Sequence, residues 1–596
     1  MRSISLAHHL LALCLAPTVI HAGHAPSNSC KAYPGTNKWP ASSQWDRLNA
    51  TVSGRLIKPL APAGVCHPGQ PNYDEEECKK LPDEWKTYDW HSRDPVSMMF
   101  ANWANWTCLP DPAAPCSTNG YPAYVVNATT PEDVKAGVDF ARENNIRIVV
   151  KGTGHDFLGR SNAPGSLSIW THYLNSITFH SGKFKLTGSD IIIEGDAITA
   201  GGGAQMYDLY KAADEHNATI VGGGAKSVGV GGYFTGGGHG VLAPDYGLAS
   251  DNVLEIQVVT PKGKILVVNE ARHSDLFWAL RGGGGSTFGV ITSITIQAHP
   301  TPVLQQINII AGIPANSTRR DEFLSFMLNK VPDLLDSGLR GYCFLNPLGL
   351  PVPIPGLPDG IASFSGALIL LNKGPEAVHE ILAPINATVQ ERFGGEAGIY
   401  SEGVKTYNRW LDWFDVNYDS GTTGGTALMV SRLIDRAPLK DKSDEITQAL
   451  ITAAKAAGMI SFYPLGGKGV NEAVPRGGSN SVNPGWRKAY VHTLSALPFT
   501  PFNRTSEKEI AGLLDASFEP LRQLTPGLGA YINEASPYEK DPYTTFWGDN
   551  YKRLLEIKRR VDPKDVFWCS PCVGNERWKE REDGRLCKVD PASFRD

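Results

Sequence analysis

The sequence predicts an α+β protein of two or three domains, and three observations carry that reading. From Tyr121 to Pro300, short apolar runs alternate with capped helical segments and glycine-dense turns. Beyond Pro300 the glycines thin out and longer helical patterns alternate with strand-like runs, which describes a separate α+β domain with a sheet of its own. At 596 residues the chain also exceeds what one simple core accommodates.

Taken in order, residues 1–22 read as a secretory signal: Arg2, an apolar run from Leu10 to Ile20, then small residues near Ala22. No later stretch is long and apolar enough to span a bilayer, so the expected product is soluble and exported, with no membrane segment; it is also expected to be a monomer. Asn-x-Ser/Thr triplets at Asn49, Asn105, Asn127, Asn217, Asn316, Asn386 and Asn503 fit N-glycans. Residues 23–115 are rich in Pro, Cys and Trp with little periodicity, as expected of a disulfide-pinned extension over a core. In an oxidising compartment the near neighbours Cys66/Cys78 and Cys108/Cys116 are expected to pair. Cys569 and Cys572 read as a structural disulfide, because no second pair has metal-site spacing, and Cys343 in a hydrophobic run is left over.

From Tyr121 the pattern tightens. Tyr124-Val-Val is a short strand, and Thr130-Pro-Glu-Asp opens a helix to about Glu143 with a capping Thr, Pro in the first turn and early acids. Ile146–Val150, Ser166–Trp170, Ile191–Glu194, Val253–Val259, Ile265–Val268 and Val290–Ile296 follow as strands, with a capped helix from Ser274 to Leu280. Further on, helices are expected at about 319–336, 375–393 and 443–457, and strands at 363–372, 427–434 and 488–497. Asn550–Arg560 is a basic amphipathic helix stopped by Pro563.

Two glycine-rich stretches, each enclosing a histidine, dominate the chemistry: Lys151-Gly-Thr-Gly-His155-Asp-Phe-Leu-Gly-Arg160 and Val221 through Gly240. Glycine at this density exposes backbone N–H groups that suit a pyrophosphate. A Rossmann fingerprint does not fit, because its third glycine and following helix are missing after Gly154, and no P-loop sequence exists. A metal site is not expected, since neither His155 nor His239 has a neighbour at ligand spacing. A net charge of -5 with no basic stripe argues against nucleic acid.

As a set, Gly152-Thr-Gly-His-Asp156, Val228-Gly-Val-Gly-Gly232 with Gly236–Gly240, Tyr246-Gly-Leu-x-x-Asp-Asn252, Asp275–Gly285 with Phe288–Val290, Asn550–Lys558 and Asp562–Phe567 resemble the vanillyl-alcohol oxidase / p-cresol methylhydroxylase superfamily, in its berberine-bridge-enzyme-like branch. The ending Cys569–Trp578 is similar to that of secreted fungal isoamyl-alcohol-oxidase-like members. The resemblance implies a two-part FAD-binding domain of the p-cresol methylhydroxylase type with an inserted α+β substrate domain on an antiparallel sheet. The boundaries so implied are 116–300 and 526–596 for the FAD part and 301–525 for the substrate domain. It further implies FAD joined covalently to His155. Gly152, Thr153, Gly154, Asp156, Ser161, Val228, Gly229, Gly231, Gly232, Tyr233, Gly237 and Val290 would lie around the cofactor. Related enzymes often add a second link from a cysteine at the position of Ala225, which alanine cannot form, so a single link is expected. A small Val228 would admit O2, its other reading being core packing.

The implied activity is oxidation of a C–OH or C–N carbon of a small molecule or natural product, with O2 reduced to H2O2. For the group near the reacting atom, Tyr531-Ile-Asn533-Glu534 read as a returning strand puts Tyr531 and Asn533 on one face and Glu534 on the other. Tyr531, Asn533 and His492 are therefore the candidates, with structural packing as the alternative for each. A dehydrogenase or cyclase with poor oxygen turnover, and a non-catalytic glycoprotein on the same fold, remain the competing readings.

Overall fold

A computed structural model describes residues 29–350 and 360–589; the signal reading of residues 1–22 lies outside them. A βαβ unit opens the main body. Strands Tyr124–Asn127 and Ile148–Lys151 both pair in parallel with Leu167–Trp170. Helix Pro131–Glu143 makes the crossover. Its start is fixed by the foreseen chemistry: Thr130 caps the Asp133 N–H while Asp133 reaches back to the Thr130 N–H. A five-stranded antiparallel sheet follows, in the order Ile265–Asn269, Val253–Val259, Val290–Gln297, Ala197–Gly201, Ile177–His180.

A seven-stranded antiparallel sheet spans residues 304–498. Helices Arg320–Asp336, Pro375–Phe393, Ser443–Ala457 and Arg504–Leu524 join its core. Strand alternation sorts its side chains. Cys343, Leu345 and Phe462 enter the helix-covered core, while Tyr342, Phe344 and Tyr463 line a cavity on the other side. Cys343 is buried and unbonded, and burial pushes its thiol up into the inert range.

The C-terminal segment folds back on the first body. Helix Tyr551–Val561 delivers Lys558, whose buried Nζ donates to Thr287 O, Asp562 Oδ2 and Phe567 O, each at 2.8 Å. Disulfides join Cys66–Cys78, Cys108–Cys116 and Cys569–Cys572, and Cys30–Cys587 ties the two ends together. Among the described residues no helix is long and apolar enough to cross a membrane.

Two differences from expectation matter for the site. The N-terminal extension is not merely a wrap: Asp74 and Thr87 cap short helices Glu75–Glu84 and Tyr88–Arg93, and its backbone bonds both glycine loop and large sheet. Met99 N–H donates to Gly154 O at 3.3 Å, and Gly424 N–H to Met99 O at 2.8 Å. The second difference is at Tyr531–Glu534, which is a turn closed by Glu534 N–H to Tyr531 O (3.0 Å) rather than a strand.

Candidate active site

Strand Ile148–Lys151 ends on a buried cation. Lys151 Nζ donates to His91 O (3.1 Å) and Asp94 O (2.8 Å), and burial pulls it down to about 8 against the charge of Asp94. The chain then turns through Gly154 at φ +83°, where a Cβ would sit 3.0 Å from Ser97 O. His155 follows, in the wall of a cavity of about 670 Å³. Its Nε2 lies 2.8 Å from Ser227 Oγ and its ring stacks on Tyr88 at 4.5 Å. Burial, helped by His91 and Lys151, lowers its pKa to about 3, so the imidazole is neutral.

One half of the cavity is walled by backbone. Gly152, Thr153, Gly154, Asp156, Ser161, Val228, Gly229, Gly231, Gly232, Tyr233 and Val290 all line it, as does Ala225. A Cβ on Gly232 would meet nothing within 4 Å, and one on Gly152 only Thr171 Oγ1 at 3.8 Å, so both face open space. Helix Val230–Gly236 starts after Gly229 and brings Gly231, Gly232 and Tyr233 to this wall; the sequence reading had no helix here. Gly237 is a correction: it lies behind the wall at φ +122°, where a Cβ would meet Val482 and Tyr531. Arg160 was not foreseen. Asp156 grips its Nε (2.9 Å) and Nη2 (2.6 Å), and Nη2 also donates to Asn533 Oδ1 at 3.1 Å. Its Nη1 is buried without a partner among the described residues, beside Gly284 in the cavity wall.

The other half is side-chain chemistry. The 531–534 turn directs Tyr531, Asn533 and Glu534 alike at the cavity, which overturns the assignment of Glu534 to an opposite face. Tyr531 Oη accepts from Gly238 N–H (3.2 Å) and Asn533 Nδ2 (2.9 Å), and burial raises its pKa, so it stays a phenol. Glu534 Oε2 takes Nε2–H of His492 (2.8 Å) and of His239 (3.2 Å). Oε1 makes none of the described hydrogen bonds. Burial favours the neutral acid, but the charges and hydrogen bonds of His239 and His492 outweigh it and hold the carboxyl well below the usual range.

His492 is placed as its packing alternative has it. It is 0% exposed and absent from the cavity wall, standing behind Glu534 with its own pKa lowered by burial. His239, Glu534 and His492 do present three ligand atoms within 4.8 Å, a cluster invisible to local spacing because its members are distant in the chain. Both Nδ1 atoms are buried without partners among the described residues, which assigns the protons to Nε2, facing the carboxylate. A metal on Nε2 would instead leave two buried Nδ1–H donors unpaired. Farther along the wall come Tyr342, Phe344 and Tyr463, with Met429 and Leu494. Tyr88 and Asp419 complete it, and burial with the Asp419 charge and hydrogen bond raises the Tyr88 phenol.

Bare glycine walls, a guanidinium N–H without a partner among the described residues and a neutral imidazole in the wall fit a flavin dinucleotide, and the fold with this site defines an FAD-binding oxidoreductase. Family models agree: "FAD binding domain" matches residues 122–269 and "Berberine and berberine like" matches 530–573. The FAD-linked oxidoreductase ZEB1 of Gibberella zeae is 33% identical over 573 residues, covering 94% of this chain and 96% of that one. The VAO-type flavoprotein oxidase VAO615 of Thermothelomyces thermophilus is 33% identical, covering 97% and 99%. The crystal structure of MtVAO615 from Myceliophthora thermophila superposes with a TM-score of 0.84 at 31% identity, over 94% of this chain and all of that one. The chain belongs to the VAO-type, berberine-bridge-like family of FAD-linked oxidoreductases.

Proposed function

We propose that this protein is a secreted oxidase that removes a hydride from a C–OH or C–N carbon of a small molecule or natural product and passes the electrons to O2, releasing H2O2. When bound, FAD supplies the two-electron acceptor. The observation that carries the reading is Glu534. An ionised carboxylate, locked by two histidines and with one oxygen free, opens onto the same cavity as the glycine walls and His155. An alcohol proton becomes strongly acidic as the α-hydride departs, so a weak base already in place suffices to take it. Tyr531 and Asn533 orient the substrate oxygen beside it. Two acids, Asp419 and Glu534, among the phenols Tyr88, Tyr342 and Tyr463 suit a neutral or cationic substrate and oppose an anionic one.

His155 would hold the flavin by a single covalent link, with Ala225 leaving the second position silent and the half-buried Val228 leaving room for O2. Four disulfides and the exposed sequons Asn105, Asn217, Asn316, Asn386 and Asn503 support a secretory route with N-glycans. We take residues 116–300 and 526–596 as the FAD-binding part, 301–525 as the substrate domain, and the protein as a monomer. A cyclase remains the second reading, because the bifunctional decalin synthase calF of Penicillium decumbens is 32% identical over 607 residues. Peroxide release measured across neutral alcohols and amines, beside anaerobic bleaching of the visible spectrum, separates the two. Bleaching without peroxide on readmitting air refutes the oxidase.

A further inference from the structure

We infer that Ser227 and Tyr88 are positioning residues for covalent attachment of the flavin, and that the N-terminal extension therefore helps to build the cofactor linkage. This rests on the proposed tether at His155. Attachment replaces one C–H bond of the flavin 8α-methyl by a C–N bond to the imidazole. The methyl hydrogen and the imidazole proton leave together with two electrons, and O2, the acceptor of the proposed reaction, takes them up as H2O2. The ring must therefore present one bare nitrogen lone pair, in one orientation, with its other nitrogen satisfied.

The structure provides each condition. The neutral imidazole has its Nε2 on Ser227 Oγ at 2.8 Å, while no described hydrogen bond uses Nδ1, which is left to react. Ser227 is buried, and His155 is the one side chain with which its hydroxyl bonds among the described residues. A hydroxyl suits both ends of the process. Before attachment it accepts from Nε2–H; once Nδ1 is alkylated, the neutral ring carries its lone pair on Nε2, and the same hydroxyl rotates to donate. An alanine does neither, and leaves a ring nitrogen unpaired in a desolvated site.

Orientation about the other axis comes from Tyr88, whose ring lies over the imidazole at 4.5 Å with 27° between the planes. Tyr88 is itself fixed twice. Its phenol bonds Asp419, whose N–H donates to Gly224 O at 2.8 Å in the second glycine stretch. Its helix Tyr88–Arg93 is pinned through His91, which bonds Ser97 Oγ and Trp85 O at 2.7 Å each. Lys151 joins the two halves: its Nζ holds His91 O and Asp94 O of the extension, while its backbone leads directly into Gly152–His155. The cation that ends the strand thus sets the distance between the stacking ring and the imidazole.

The test is the fraction of flavin retained by acid-precipitated polypeptide, with intact mass, for the wild type, Ser227→Ala, Tyr88→Ala and Tyr88→Phe. The wild type and Tyr88→Phe, which keeps the stack, are expected to hold their flavin covalently. Ser227→Ala and Tyr88→Ala are expected to bind FAD but release at least tenfold more of it to the acid supernatant at equal incubation. Full retention in both alanine variants overturns the inference while leaving the tether intact; acid-soluble flavin in the wild type overturns the tether itself. Should either alanine variant fail to accumulate, Ser227→Cys and Tyr88→Leu are read on the same scale. There, retention equal to wild type in both again counts against the inference.

Discussion

Glu534→Gln tests the base directly. Glutamine keeps the shape, and its carbonyl oxygen can still accept Nε2–H of His492 from 2.8 Å. Both histidines bond the same oxygen, so that carbonyl also keeps Nε2–H of His239 at 3.2 Å, while the NH2 group takes the place of Oε1, which makes none of the described hydrogen bonds. The substitution should therefore fold and keep its flavin. What disappears is the negative charge and the proton acceptor. A positioned general base contributes roughly 10²–10⁴ in rate, which is about 3–5 kcal/mol of barrier. The pre-orientation by two histidines argues for a loss of about 10³ or more in the anaerobic rate of flavin bleaching, followed by stopped flow, with a much smaller change in half-saturation. A fall of less than tenfold, in protein with full flavin content, refutes Glu534 as the base.

Three further outcomes follow from described contacts. His91 is 1% exposed and burial lowers its pKa from 6.5 to about 4. Between those values the unfolded chain holds a proton that the folded one does not, so stability is lost as pH falls from 6.5 and the loss levels off below about 4, amounting to about 3 kcal/mol. Denaturant midpoints at pH 7 and 4 should converge for His91→Gln relative to wild type, and parallel shifts in the two proteins contradict the assignment. Ala225 lies in the cavity wall, so Ala225→Cys should place a thiol against the bound flavin and yield one peptide set cross-linked through both residues 155 and 225; a freely titrating thiol beside intact flavin argues against this placement. Gly232→Ala adds a methyl that meets no protein atom within 4 Å. Apoprotein stability should hold or rise by up to about 1 kcal/mol while flavin content drops severalfold, and undiminished flavin in the purified variant sinks the proposed seat.

Sequence reading worked best where capping and spacing along the chain fix the structure. The capped start at Thr130, the helix from Tyr551, the short-range disulfides and the leftover Cys343 all rest on local spacing, and the structure has them. The glycine walls were legible because only glycine leaves backbone that bare. The side-chain half of the cavity was not. Period-two alternation at Tyr531–Glu534 presumes an extended chain, and a single i to i+3 hydrogen bond there rotates Glu534 into the cavity. His239, His492 and Glu534 come from three separate stretches of the chain, as do Tyr88, His155 and Ser227. Their meeting depends on how the large sheet and the extension dock, which no local spacing encodes.

The bond between Cys30 and Cys587 closes the chain between these two residues into a covalent ring. Cleavage at any one surface loop between them leaves both fragments attached, so a nicked molecule keeps its full mass until a reductant is added. The closure-entropy relation for so large a loop comes to about 6 kcal/mol of penalty removed from refolding. A single break in the backbone is then survivable damage.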